Sequence, residues 1–167
     1  MARDTFEPIR VLHYLGYFGP KILLVLSVFL LLQKKMICAV YLAGFFLNII
    51  VNSILKTIIR EPRPSNRMHQ FTLDFNETYT DVDKLGEHEF GMPSGHSQSV
   101  FYSAAFIHFS IKKWWISLIC FMIALNTMYQ RVLYKNHTIL QVCVGAIIGI
   151  FMAKLVYQYF FGIHYIS

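Results

Sequence analysis

Apolar residues run along this chain in long blocks, not in the short alternating or 3.6-spaced groups of a soluble domain. A bilayer-spanning helix needs about 20 mostly apolar residues. Five blocks come near that, at 18–33, 36–59, 95–111, 114–131 and 138–161. The first is short and begins at Gly19-Pro20, so its helix is expected to reach back through Leu12–Tyr17. The junctions Gln33-Lys34-Lys35 and Lys112-Lys113 are so brief that the blocks they join must run antiparallel. Residues 60–93 form the only long polar segment, and roughly 3–16 mix Phe6, Ile9, Val11 and Leu12 with charges. The expected fold is all-α: a polytopic transmembrane bundle of about five spans, with a short N-terminal interfacial segment. It forms a single membrane-embedded domain over 1–167, with the long loop at about 60–93 and no internal repeat.

Composition agrees with that pattern. Hydrophobic residues make up 56% and charged residues 14%, with a mean hydropathy of +0.48; an ordinary soluble domain carries about 25% charged residues. The net charge of +6 does not indicate nucleic acid, because the basic residues sit singly or in pairs at the edges of apolar blocks. Cys38, Cys120 and Cys143 lie inside apolar blocks at unrelated spacings, unlike a disulfide framework or a zinc site. The N-terminus lacks a cleavable-signal pattern, so the first span is expected to stay in the mature protein. With alternating directions, all nine Asp and Glu residues fall on one side and the Lys34-Lys35 and Lys112-Lys113 turns on the other. The positive-inside rule makes the lysine turns cytoplasmic and the long loop lumenal or exterior. That loop carries Asn76-Glu77-Thr78, an N-glycosylation acceptor pattern in a eukaryotic host, where the endoplasmic reticulum is the expected membrane.

Polar residues inside a span are costly and mark a bundle interior or a site. In the second block Asn48, Asn52, Lys56 and Arg60 are each four apart and so share one helical face. Glu61-Pro62-Arg63-Pro64 then ends the helix, leaving three cations at one membrane boundary. Taken singly, each cation reads first as a snorkelling anchor, a reading that leaves the polar stripe beneath them and the rigid Pro-Arg-Pro unexplained. The third block opens with Gly91-Met92-Pro93-Ser94-Gly95-His96-Ser97. Ser94 is a natural N-cap, Gly95 admits a ligand to the backbone, and free first-turn amides attract an anion within reach of His96. The bland alternative is a capped helix with a surface histidine. A third cluster pairs Gln130-Arg131 with His137 and Gln141, the last two sharing a face at the start of the fifth block. Gly145, Gly149 and Ala153 extend that row as a stripe for close helix approach. His13, His69, His88, His108 and His164 match no metal-ligand spacing.

Together the three clusters resemble the signature of the type 2 phosphatidic acid phosphatase superfamily, from about residue 15 to 160. The family pattern is Lys, six residues, Arg-Pro; then Pro-Ser-Gly-His; then Ser-Arg, five residues, His, three residues, Asp. Lys56 with Arg63-Pro64, Pro93-Ser94-Gly95-His96, and Arg131 with His137 stand at those spacings and in that order. Two positions depart, Gln130 for serine and Gln141 for aspartate, and the second removes the acid that orients the nucleophile. Glutamine at 141, Glu61-Pro62-Arg63-Pro64 and Ser97-Gln98 look like the dolichyl-diphosphatase branch. The resemblance implies His137 as nucleophile forming a phosphohistidine and His96 as acid and then base. It implies Lys56, Arg63, Ser94, Gly95 and Arg131 as phosphate holders, Gln141 as the orienting partner of His137, a membrane lipid as substrate, and no metal or other cofactor. A broad lipid-phosphate phosphatase acting on phosphatidic acid or a short prenyl diphosphate stays open, as does a non-catalytic lipid-binding protein.

Overall fold

A computed structural model describes residues 7–64 and 90–162, with side chains from Val11 onward in the first segment. Five helices follow in order: α1 (Glu7–Leu31), α2 (Lys35–Ile59), α3 (Gly95–Ile111), α4 (Trp114–Leu133) and α5 (Ile139–Tyr157), the last running on into a π-helical turn at Gln158–Gly162. Among the described residues, four stretches are long and apolar enough to cross a membrane: Val11–Leu31, Lys35–Ile59, Trp114–Leu133 and Ile139–Gly162. The protein is therefore an integral-membrane helix bundle. The helix α1 continues without a break from Glu7 through Pro20, so no separate interfacial piece precedes it within the described residues. The Asn76 acceptor triplet, His69, His88 and His164 lie outside the described residues.

The 17-residue α3 has a different role from the other four helices. At about 1.5 Å per residue it is only about 26 Å long, and every residue from Ser97 to Ile107 is buried. It packs against α1, α2, α4 and, most extensively, α5. The third apolar block is thus the axis of the bundle. The outer helices meet lipid instead, through residues such as Val25, Phe29, Ile50, Ile58, Met122, Ile147 and Phe151.

Contact between α3 and α5 depends on the small-residue row. A Cβ added at Gly145 would lie 2.6 Å from the Ser94 carbonyl oxygen, and one at Gly149 would collide with the Gln98 carbonyl. Neither obstacle is a flexible side-chain end, so the helices would have to separate. Gly149→Ala is expected to destabilise the bundle by about 1–3 kcal/mol, the usual range for overpacking. A melting temperature in detergent equal to that of wild type would contradict this.

The connections sort to two ends. Lys34 Nζ donates to the Ser110 carbonyl at 3.4 Å, which sets the turn between α1 and α2 beside the C-terminus of α3 and its Lys112-Lys113 turn. At the other end the Gly91 amide donates to the Glu61 carbonyl at 2.7 Å, Pro62 pairs with Phe90 in an isolated antiparallel bridge, and Arg63 Nη1 donates to the Asn136 carbonyl at 3.5 Å. Each strand of chain that carries one of the three clusters is therefore stitched to the next.

Candidate active site

The buried Asn48 and Asn52 of α2 face inward and bond to α3, with Asn48 Nδ2 left without a partner among the described residues. Asn52 Nδ2 donates to Gln98 Oε1 at 2.7 Å and to the Pro93 carbonyl at 3.2 Å, while Gln98 Nε2 donates to both the carbonyl and the Oδ1 of Asn48 at 2.9 Å. Buried amides need such partners. This ladder fixes the height of the Pro93–His96 turn against α2. Lys56 continues the row, but Arg60 leaves it. The helix ends at Ile59, Arg60 takes a left-handed backbone with φ 50°, and its Nε donates to the Thr57 carbonyl at 2.9 Å while the side chain stays exposed. Four-residue spacing placed Arg60 beside Lys56; helix termination one residue earlier turns it away.

Ser94 occupies the N-cap position of α3 in extended backbone, yet its side chain makes no capping bond. Its Oγ instead accepts from the Ser97 hydroxyl at 3.3 Å. The first-turn amides are therefore not taken up by Ser94, and they lie beside His96 at the anion-attracting end of the helix. Arg131, 6% exposed, donates from Nε to Gln130 Oε1 at 2.7 Å. Its guanidinium lies 5.2 Å over the ring of Tyr17, whose centroid is 6.4 Å from that of His96. Tyr17 thus joins the α3 and α4 clusters through a cation–π contact. Nothing in the sequence singled out this residue, because it is one aromatic among many in α1.

Gln141 is fully buried, and its side chain makes four hydrogen bonds. Its Oε1 meets His137 Nδ1 and the Thr138 amide, both at 3.2 Å, and its Nε2 meets Glu61 Oε1 at 2.8 Å and the Pro62 carbonyl at 2.9 Å. The Thr138 amide can only donate, while the Pro62 carbonyl can only accept. Those two fix which way the side-chain amide points. His137 Nδ1 must then carry the proton, and Nε2 keeps its lone pair. Gly91 makes room for this amide, since a Cβ there would sit 2.5 Å from Gln141 Oε1. Thr138 caps α5, and Gln141 completes the capping box, so the hub is also the helix start. His137 lies between α4 and α5 and is 3% exposed. Burial first, and then the Arg63 guanidinium, push its pKa down to about 3, with the Gln141 bond acting the other way. The imidazole is neutral at pH 7.

Lys56, Arg63 and Arg131 all act on both His137 and His96 electrostatically. The structure therefore gathers Lys56, Arg63, Ser94, Gly95, His96, Arg131, His137 and Gln141 at one end of the bundle. A cavity of about 440 Å³ opens beside His96, Gly95 and Ser99 and runs between α1 and α2 along Phe18, Leu24, Phe45 and Ile49. It is apolar away from His96, with Lys21 at its wall.

A family model of the PAP2 superfamily matches residues 37–165, across all three clusters. The chain belongs to the PAP2 superfamily. Dolichyldiphosphatase 1 of Plecturocebus moloch is 31% identical over 160 residues, covering 84% of this chain and 61% of that protein. Lipid phosphate phosphatase gamma of Arabidopsis thaliana is 31% identical over 110 residues, covering 59% of this chain and 42% of that protein. The chain thus spans less than two thirds of the length of either relative. The crystal structure of a transmembrane PAP2 type phosphatidylglycerolphosphate phosphatase from Bacillus subtilis superposes with a TM-score of 0.66 over 94% of this chain and 78% of that one, at 19% identity. At that identity the likeness is one of fold, and it includes the membrane helices.

Proposed function

We propose that this PAP2 protein is a membrane-embedded lipid phosphatase, with a polyprenyl diphosphate of the dolichyl type as its preferred substrate. The observation that carries the reading is the neutral, Nδ1-protonated His137, its Nε2 left available among three cations and His96, beside an apolar cavity. Nε2 attacks phosphorus as the bond to the leaving oxygen breaks, and His96, which takes up a proton once the anionic phosphate lies beside it, delivers that proton to the leaving oxygen. His96 then takes a proton from water as the water oxygen displaces His137. Lys56, Arg63, Arg131 and the first-turn amides of α3 hold the equatorial oxygens where charge builds up. The apolar cavity fits an acyl or prenyl chain. Similarity to a dolichyldiphosphatase over most of this chain favours the diphosphate. Phosphate release from dolichyl diphosphate, dolichyl phosphate and phosphatidic acid, with and without excess chelator, tests this. The diphosphate is expected to be cleaved fastest, and chelator to leave the rate intact. Equal rates on all three would favour a broad lipid-phosphate phosphatase, to which the similarity with lipid phosphate phosphatase gamma points.

Two neighbouring arginines separate site from surface. Arg63→Lys should lower kcat/KM by about 100-fold, because lysine cannot reproduce a bidentate grip on phosphate. Arg60→Gln should stay within about twofold of wild type, since Arg60 is exposed and bonded to its own helix end. Equal losses in the two variants would argue for general surface charge instead.

The site is assigned to the lumenal or extracytoplasmic face by the lysine turns at the opposite end, and to the endoplasmic reticulum in a eukaryotic host. In a background lacking Cys38, Cys120 and Cys143, a cysteine replacing the exposed Lys113 should react with an impermeant thiol reagent only from the cytoplasmic side. Labelling from the other side would reverse the orientation.

A further inference from the structure

His137 is surrounded by positive charge and, among the described residues, touches no carboxylate. Lys56 from α2, Arg63 from the segment after it, and Arg131 from α4 all disfavour a cationic ring, as does burial. A phosphorylated imidazole that keeps its Nδ1 proton is cationic, so the reaction needs an offset on the Nδ1 side. The group in contact there is the neutral Gln141 amide. Among the described side chains, 11–64 and 90–162, Glu61 is the only carboxylic acid. It lies on the far side of that same amide, its Oε1 accepting from Gln141 Nε2 at 2.8 Å.

Glu61 is also held in place independently of that bond. Its carbonyl accepts from the Gly91 amide at 2.7 Å, and the adjoining Pro62 both bridges to Phe90 and accepts from Gln141 Nε2 at 2.9 Å. A carboxylate drawing on the N–H of an amide increases negative charge on the amide oxygen, and linked hydrogen bonds strengthen one another by about 10–30% each. The bonded order is His137 Nδ1–H to Gln141 Oε1, then Gln141 Nε2–H to Glu61 Oε1.

We propose that Glu61 is a positioning residue for His137, its carboxylate orienting and polarising the Gln141 amide so that the amide oxygen stabilises the positive ring. The inference rests on the phosphohistidine reading above. Glu61 does not touch phosphate, so its effect falls on the chemical step and not on binding.

Steady-state kinetics on the preferred lipid phosphate test it, using Glu61→Gln, Gln141→Asp and the double variant. Glutamine at 61 keeps an oxygen for Gln141 Nε2 but removes the charge. Glu61→Gln is expected to lower kcat by at least about tenfold with KM unchanged or lower, since an anion near the cations has gone. Gln141→Asp alone loses both Nε2 bonds and sets a second acid beside Glu61, where like charges cannot both ionise easily. The double variant moves the single acid onto His137 and is expected to exceed both single variants. Should Glu61→Gln elute from detergent gel filtration as misfolded protein, the comparison of Gln141→Asp with the double variant decides alone. Wild-type kcat in Glu61→Gln, a loss expressed only as raised KM, or a double variant no better than the poorer single one would each overturn the proposal. A wild type inert on every lipid phosphate, or an active His137→Ala, removes the parent reading and this inference with it; an inactive His137→Ala beside a fully active Glu61→Gln removes only the inference.

Discussion

Replacing His137 with alanine is expected to abolish turnover, by at least about 10⁴-fold, which corresponds to roughly 5 kcal/mol in barrier. No other described group at the site is placed to take over the attack. His96 is the only other imidazole in the cluster, and it has its own part in protonating the leaving oxygen. The lone pair on His137 Nε2 exists at neutral pH because burial and Arg63 hold the ring uncharged, and it is at Nε2 because Nδ1 keeps its proton to donate to Gln141 Oε1. A second measurement goes with the rate. Wild-type protein quenched during turnover should carry acid-labile phosphate, and His137→Ala protein should carry none. Turnover retained in His137→Ala, with labile phosphate still appearing, would show that another residue is the nucleophile.

His96→Ala has the second largest expected effect, a fall in kcat of about 10²–10⁴-fold, the usual contribution of a positioned acid or base. The two half-reactions need not suffer equally. A diphosphate has a good leaving group, so the phosphoenzyme can still form slowly without an acid. Its hydrolysis, by contrast, needs a base for water, and His96 is the group placed at the free amide end of α3 beside the cavity. The variant is therefore expected to accumulate labelled phosphohistidine from a labelled substrate, to a level above that of wild type in steady state. Loss of turnover without accumulation would mean that His96 acts mainly in forming the intermediate. Unchanged turnover would remove it from the mechanism.

The apolar blocks and the order of the three clusters were legible in the sequence, since about 20 apolar residues in a row have few uses besides crossing a bilayer. The row Asn48–Asn52–Lys56 and the face shared by His137 and Gln141 followed from helical spacing. Spacing along one helix does not say which neighbour that face meets. The block at 95–111 looked like any other span, and only packing made it the buried axis while four longer helices took the lipid. Arg60 looked equivalent to Lys56 until the helix stopped at Ile59. Tyr17 reaches Arg131 from a helix more than a hundred residues away in sequence. The widest gap between sequence and structure is at Gln141. The sequence identified it as a neutral residue four positions after His137, where an acid was expected. Its amide has meaning only through Thr138, one turn before it, and through Glu61 and Pro62, which arrive together from a distant part of the chain. A side-chain amide can point either way, and only the obligate donors and acceptors that folding brings to it choose one orientation, and with it the proton on His137.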